Sequence, residues 1–199
     1  MVLYLIRHGQ TDYNKQGRLQ GGTDIPLNEY GRALAKEAAE RVEQIKFDLA
    51  ITSPLSRARE TASILLGNRQ IPIIEDNRIR EISFGEFEGM CWKGENCNIP
   101  DPDFMNFFRA PERYTTPPGG ESFQSILKRT GSFWQELCSK EEYRDKTILI
   151  STHGCALKAI LANICHTPLD SFWGDGCSKN CAITKVELKE SGIVVTEDM

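Results

Sequence analysis

Histidine is scarce in this chain: His8, His153 and His166 are the only three in 199 residues. Any chemistry that needs an imidazole has to be assembled from them. Long apolar runs are also missing. The opening run, Val2 to Ile6, is far shorter than the roughly 20 residues that cross a bilayer, and too short for a secretory h-region. No membrane span and no secretory leader are expected, which points to the cytoplasm. Neither sign of charge dominates, since 24 Lys and Arg against 28 Asp and Glu give a formal net charge of −4. General binding to nucleic acid or to a membrane surface needs a clustered positive field. Basic residues that matter here must therefore act locally. There is no internal repeat, no P-loop and no Asp-rich metal cradle.

The seven cysteines are odd in number and irregularly spaced. With no leader they read as reduced thiols rather than a disulfide framework. Cys177 and Cys181 have the spacing of half a zinc site, but no second pair follows, so no metal is expected there. The apolar fraction of 40% is near the globular average and argues against long disorder. The length suits one domain, residues 1–199.

Strand-like and helix-like patterns alternate along the chain. Val2 to Ile6 is a continuous apolar run, as in a strand buried on both faces. Asn28 can cap a helix with Tyr30, Leu34, Ala38, Val42 and Ile45 on one stripe. Asp48 to Thr52 predicts a second strand, after which Ser53 and Pro54 read as N-cap and first residue of a helix ending at Gly67. Ala58, Ala62 and Leu65 mark its buried side. Ile71 to Ile74 predicts a third strand. Glu121 to Lys140 predicts a helix with Phe123, Ile126, Leu127, Thr130, Trp134 and Leu137 on one face. Thr147 to Ile150 is a fourth strand, followed by a helix carrying Leu157, Ile160, Leu161 and Ile164. Ala182 to Leu188 and Ile193 to Thr196 read as a closing pair around Ser191-Gly192. The expected fold is α/β, a three-layer sandwich with a mostly parallel sheet between helices.

One stretch has no sustained period. Residues 88 to 120 contain several prolines and the aromatics Trp92, Phe104, Phe107, Phe108 and Tyr114. So long an irregular segment inside a domain is expected to be a lid.

The ends of three predicted strands carry unusual polar groups. The first delivers Arg7 and His8, the second leads to Arg57, and the fourth delivers His153. Ligands of parallel α/β sheets bind beyond the carboxyl ends of the strands, so these side chains can meet in one crevice. The helix starts at Ser53-Pro54 and His153-Gly154 are expected to add free backbone N–H groups. Two arginines, two histidines and two helix N-termini describe an anion site, with phosphate the natural guest. A zinc site on His8, His153 and a carboxylate is the rival, which adjacent arginines disfavour. Arg59 competes with Arg57, but two residues on a helix lie ~200° apart, so both cannot face one phosphate. Glu75, Asp76, Glu81, Glu86 and Glu88 all follow the third strand, and chemistry alone does not choose among these carboxylates.

The run Arg7-His8-Gly9-Gln10-Thr11-Asp12-Tyr13-Asn14 resembles the opening signature of the histidine phosphatase superfamily, the phosphoglycerate mutase-like proteins. Gln20-Gly21 with Asp24, Pro26, Leu27 and Gly31 is similar to that family's next block. Ser53-Pro54-Leu55-Ser56-Arg57-Ala58 with Thr61-Ala62 continues it, as do Glu81, Phe84-Gly85 and Glu88-Gly89. Pro118-Gly119-Gly120-Glu121-Ser122 and Thr152-His153-Gly154 complete the match over nearly the whole chain. Phe87 stands where the family often has tryptophan.

The resemblance implies that His8 is the nucleophile that accepts a phosphoryl group. It implies that Arg7, Arg57 and His153 hold phosphate oxygens, with Asn14, Gln20 and the Gly21 and Gly154 backbone in support. It selects Glu81 as general acid and then base. These roles suit phosphoryl transfer, which is mostly positioning and charge stabilisation. A nucleophilic imidazole must be neutral with its other nitrogen tied to an acceptor, which the backbone at Gly9 can supply. No cofactor is expected. The expected substrate and partner is a small phosphorylated metabolite, with no nucleic acid and no membrane, and a homodimer is an open option. The modest lid favours a phosphatase, because a mutase must keep water from the phosphohistidine. The alternatives are a phosphoglycerate mutase-type phosphotransferase and, more remotely, a phospho-ligand binding module. Arg109 and Arg113 are candidates for a second anionic group, and Trp92, Phe104 and Phe107 for an apolar wall.

Overall fold

Alternate residues of the first strand enter two different cores, and this division organises the molecule. In the computed structural model, which describes residues 1–196, β1 (Val2–Arg7) sends Leu3 and Leu5 to one face and Tyr4 and Ile6 to the other. A strand apolar at every position has this burial because helices cover both sides of the sheet. β1 lies between β4 (Thr147–Thr152) and β5 (Ile183–Lys189) in a six-stranded sheet. The order is β3-β2-β4-β1-β5-β6, with β2 at Leu49–Thr52, β3 at Ile73–Glu75 and β6 at Gly192–Thr196. The first four strands in that order run parallel. β5 and β6 close the sheet antiparallel.

On one face α2 (Glu29–Arg41) and α3 (Ser56–Leu66) bury Ala35, Ala38, Ala62 and Leu65 against Tyr4, Ile6, Ala50 and Leu149. On the other, α5 (Phe123–Ser139) and α6 (Gly154–Cys165) bury Phe133, Leu137, Leu157 and Ile160 against Leu3, Leu5, Ile51 and Ile150. The short α1 (Asp12–Gln16) and α4 (Asn106–Arg109) lie outside these layers in chain segments near the site. The three-layer α/β sandwich expected from periodicity is the observed fold. No helix among the described residues is long and apolar enough to cross a membrane.

Three local expectations need correction. Tyr30 is exposed, and Gly31 takes the buried place beside Ala35 and Ala38. A Cβ at Gly31 would lie 2.1 Å from the Gln10 carbonyl oxygen, so the first turn of α2 rests directly on the loop that follows β1. α3 begins at Ser56, not at Ser53-Pro54, and Leu55 in the cap position makes no side-chain bond. Asp24 caps it from elsewhere in the chain, accepting from Ser56 N at 2.8 Å and Ser56 Oγ at 2.7 Å. Strand β3 is shorter than expected and lies at the sheet edge, with Ile73 and Ile74 exposed.

Residues 88–120 pack around aromatic rings rather than forming regular layers. Phe104 and Phe107 are buried with Phe84, Phe87, Phe123 and Trp173, and the Trp173 indole donates to the Phe107 carbonyl at 2.5 Å. These contacts fix the segment over the carboxyl end of the sheet by ring packing. In the core below, Leu157 is fully buried. Leu157→Ala should lower unfolding free energy by roughly 2–5 kcal/mol without changing the denaturant m-value. Urea titration measures both, and a loss under 1 kcal/mol would contradict this packing.

Candidate active site

The parallel register carries the candidate residues to one place. Arg7 pairs with Thr152 across β1 and β4, and Thr52 with Ser151 across β2 and β4. His8, Ser53 and His153 therefore emerge together, one residue beyond their strands, where parallel sheets bind ligands.

His8 is buried, and its Nδ1 bonds the Gly9 carbonyl at 2.7 Å. A carbonyl only accepts, so Nδ1 carries the proton and Nε2 keeps its lone pair. The loop holding the ring is itself fixed. Gly9 N donates to Thr61 Oγ1 at 3.0 Å, and Asn180 Nδ2 donates to the His8 carbonyl at 2.9 Å. Burial holds the His8 imidazole well below its usual pKa, reinforced by the positive charges of Arg57 and Arg7. The ring is neutral at physiological pH.

Arg57 has no exposed surface. It donates to the carbonyls of Thr23 and Gly21 at 2.7 and 2.8 Å, and through Nε to His153 Nδ1 at 3.2 Å. Burial pulls this guanidinium down to about 10, still charged at neutral pH. With Nδ1 accepting, His153 is protonated at Nε2, which bonds Ser53 Oγ at 2.7 Å. Burial and Arg57 keep His153 uncharged as well. The two imidazoles stand 5.1 Å apart, but only His8 lines the cavity. His153, expected on phosphate oxygens, bonds Arg57 and Ser53 through its two ring nitrogens. That arrangement leaves the histidine pair short of lone pairs for a zinc ion.

Arg7 reaches the site from the other side. Its Nη1 donates to the Ser178 carbonyl at 2.5 Å and contacts Cys177 Sγ at 3.3 Å. Its Nε is buried with no hydrogen-bond partner. A buried guanidinium N–H without an acceptor is costly and calls for an anion.

Of the five candidate carboxylates only Glu81 lines this cavity. Glu75 pairs with Arg59 and Asp76 with Arg78, while Glu86 is exposed. Glu81 accepts from the amides of Cys155 and Ala156 at 3.2 and 3.1 Å, and from Ile82 N at 3.0 Å. The first turn of α6, expected to offer open amides to phosphate, gives two of them to Glu81. Gly154 opens α6 and lines the cavity.

Asn14, Gln20 and Gly21 also line it. Asn14 Oδ1 accepts from Thr11 N at 3.1 Å and Gln20 Oε1 from Thr11 Oγ1 at 2.8 Å. With both oxygens engaged, the amide NH₂ groups are the ends left to meet an anion. Gly21 has φ +54°, and a Cβ there would lie 2.2 Å from Glu88 Oε1.

The cavity measures about 520 Å³, and Trp92, Met105, Phe107, Phe108 and Trp173 form its apolar wall. Trp92 stacks on Phe108 at 4.5 Å. Phe104 is not on that wall; it is buried in the ring cluster behind it. Arg109 reaches the cavity, whereas Arg113 is exposed and paired with Glu112.

The sequence profile of the histidine phosphatase superfamily, branch 1, matches residues 3–197. The chain belongs to that superfamily. Its fold superposes on the YhfR protein of Bacillus stearothermophilus with a TM-score of 0.89 at 36% identity, covering 99% of this chain and 96% of that one. A mycobacterial glucosyl-3-phosphoglycerate phosphatase solved with VO3 gives 0.83 at 30% identity, covering 100% and 97%. A 2,3-bisphosphoglycerate-dependent phosphoglycerate mutase of Gloeobacter violaceus is 33% identical over 83% of this chain and 76% of its own length.

The roles of three residues that shape this histidine phosphatase site were not legible in the sequence. Glu88, treated there as a candidate acid, accepts from the amides of Gly22, Thr23 and Phe84 at 2.8, 2.8 and 3.1 Å, and from the Thr23 hydroxyl. It binds the Gly21 loop to the segment carrying Glu81, and its place in the Glu88-Gly89 block was the only signal. Asn180 and Ser53 act through His8 and His153, and neither carries a periodic signature.

The neutral histidines make stability pH-dependent. In the unfolded chain each takes up a proton below about pH 6.5, while the folded site resists. The stabilisation is full above that pH and is lost as pH falls toward the depressed folded values. Wild type should lose stability more steeply than His8→Gln as pH falls from 6 to 5, because the unfolded chain takes up a proton at His8 that the folded site resists. Urea titrations across that range measure the difference, and equal slopes would show that His8 titrates normally.

Proposed function

We propose that the protein is a metal-independent, cytoplasmic phosphatase that hydrolyses a small phosphomonoester through a phosphohistidine on His8. The observation that carries this reading is that His8, with Nε2 unbonded, and Arg7, with an unpartnered buried Nε–H, line the same cavity. The fully buried Arg57 stands behind them. A lone pair aimed into a pocket with two guanidinium charges suits in-line attack on a phosphate dianion. Arg7 and Arg57 hold the equatorial oxygens, where charge is stabilised during transfer. Gln20, Asn14 and the backbone at Gly21 and Gly154 complete the cradle. His153 acts through Arg57, keeping that guanidinium oriented.

Attack forms the Nε2–P bond as the bond from phosphorus to the leaving oxygen breaks. Protonated Glu81 gives its proton to that oxygen. The resulting carboxylate then takes a proton from water as the water oxygen bonds phosphorus and the Nε2–P bond breaks. The leaving group lies against Trp92, Phe107 and Phe108 under the 88–120 segment, which serves as the lid, and Arg109 faces any second anion. The arginines supply the charge compensation that a divalent metal would otherwise give. Similarity to solved phosphatases over nearly full length supports hydrolysis. Similarity to phosphoglycerate mutases supports a second reading, transfer back to an acceptor hydroxyl.

His8→Ala should abolish hydrolysis of an aryl phosphate, and retained turnover would refute the phosphohistidine route. EDTA should leave activity unchanged; inhibition reversed by added metal would favour a metal-dependent reaction. Glu81→Gln should reduce kcat/KM on an unactivated alkyl phosphate by about 10²-fold or more, and far less on p-nitrophenyl phosphate. Equal losses would remove Glu81 from the acid role. A panel of phosphomonoesters, with 3-phosphoglycerate followed for isomerisation and for phosphate release, separates phosphatase from mutase.

A further inference from the structure

Glu81 lies on an irregular stretch between β3 and the 88–120 segment, where no helix or strand fixes its backbone. Its carbonyl accepts from Arg129 Nη2 at 3.2 Å. The same guanidinium donates through Nη1 to the Arg78 carbonyl at 2.6 Å. It is also held as a fork by Glu121, with Nε to Oε1 at 2.7 Å and Nη2 to Oε2 at 2.8 Å. Glu121 is anchored in turn. Its backbone N–H donates to the Ser83 carbonyl at 2.8 Å, and Ser125 Oγ donates to its Oε1 at 2.9 Å. Arg129 belongs to α5 and Glu121 to the loop that ends one residue before that helix's Ser122 cap. Both side chains are largely buried, at 20% and 16% exposure. Neither lines the cavity.

The carboxyl end of Glu81 is fixed separately, by the α6 amides of Cys155 and Ala156. The residue is thus held at two points. α6 holds its side chain, and α5 holds its main chain through Arg129. We infer that the Arg129–Glu121 pair is a positioning device for Glu81, setting the distance between its carboxyl group and the leaving oxygen. A bidentate pair suits this task because its planar fork fixes orientation as well as distance, which a lysine cannot do. General acid catalysis depends steeply on such placement, since an error of about 1 Å costs roughly 10²-fold. The inference rests on the acid role proposed for Glu81.

The test compares Arg129→Met, Arg129→Lys, Glu121→Gln and Glu81→Gln on β-glycerophosphate and p-nitrophenyl phosphate, with kcat/KM as the readout because it reports the step that expels the leaving group. Arg129→Met should lose about tenfold on the alkyl ester and less than threefold on the aryl ester. Inhibition by vanadate should stay within twofold of wild type, because the phosphate cradle is untouched. Arg129→Lys and Glu121→Gln should fall between wild type and Arg129→Met, and they carry the comparison if Arg129→Met does not fold. Combined with Glu81→Gln, the Arg129 substitution should cost nothing further on the alkyl ester, since both act through one group. Equal losses on the two esters, weakened vanadate inhibition, or full additivity with Glu81→Gln would mark the pair as merely structural and overturn the inference. Activity like wild type in all three clamp variants would do the same. If Glu81→Gln itself shows no leaving-group dependence, the acid role fails first, and that result is separate from the behaviour of Arg129.

Discussion

The site depends on a guanidinium buried without a direct carboxylate partner. Arg57 has no exposed surface, and three of its five N–H donors go to two backbone carbonyls and one imidazole nitrogen. Dipoles of this kind orient the charge, while the carboxylates of Glu81, Asp24 and Glu88 oppose it without a direct ion pair. A buried guanidinium is costly, and the residues around Arg57 hold it in place. Glu88 pins the Gly21–Thr23 loop so that its carbonyls point inward. Asp24 caps the helix that carries Arg57. His153 and Ser53 complete the cradle from the neighbouring strands. Burial, reinforced by the positive charges of Arg57 and Arg7, keeps His8 neutral, the form that the proposed attack on phosphorus requires.

Glu81 belongs to a different part of the design. Its side chain closes the amino end of α6, a position at which an anionic ligand might have been sought. Two carboxylate–amide bonds there mean that the Cys155 and Ala156 amides position the proposed acid, while Gly154 at the helix start stays on the cavity wall. In the proposed reading the phosphate end draws on the loops after β1 and β2, on α3 and on Gly154, and the acid end on α5 and the Cys155 and Ala156 amides of α6. A change in α5 can therefore alter leaving-group chemistry without loosening the phosphate cradle.

Much of this was legible in the sequence where the cause is local. Apolar runs and 3.6-residue stripes revealed the sheet and its covering helices, because burial on both faces leaves no room for polar residues. Arg7, His8, Arg57 and His153 stood out because charged and titratable groups directly after buried strands are unusual. Where partners are distant in sequence, the reading failed. Ser53-Pro54 has the form of a helix start, but the Ser53 hydroxyl is taken by His153 and the true cap, Asp24, lies 32 residues before Ser56. The partners of the His153 ring, Arg57 and Ser53, likewise lie 96 and 100 residues away. The clamp on the Glu81 carbonyl had no signature at all, since a side chain reaching a backbone acceptor 48 residues away leaves no spacing to recognise.

The net charge of −4 gave no sign of a phosphate site, and the reason is distance. Arg7, Arg18, Arg57, Lys93 and Arg109 all border the cavity, where Glu81 is the single carboxylate. The acidic excess is spread over the rest of the surface. In physiological salt, exposed charges are screened over about 8 Å, whereas buried ones are screened much less. The remote acids therefore do little to cancel the field inside the pocket, while they repel polyanions from the exterior.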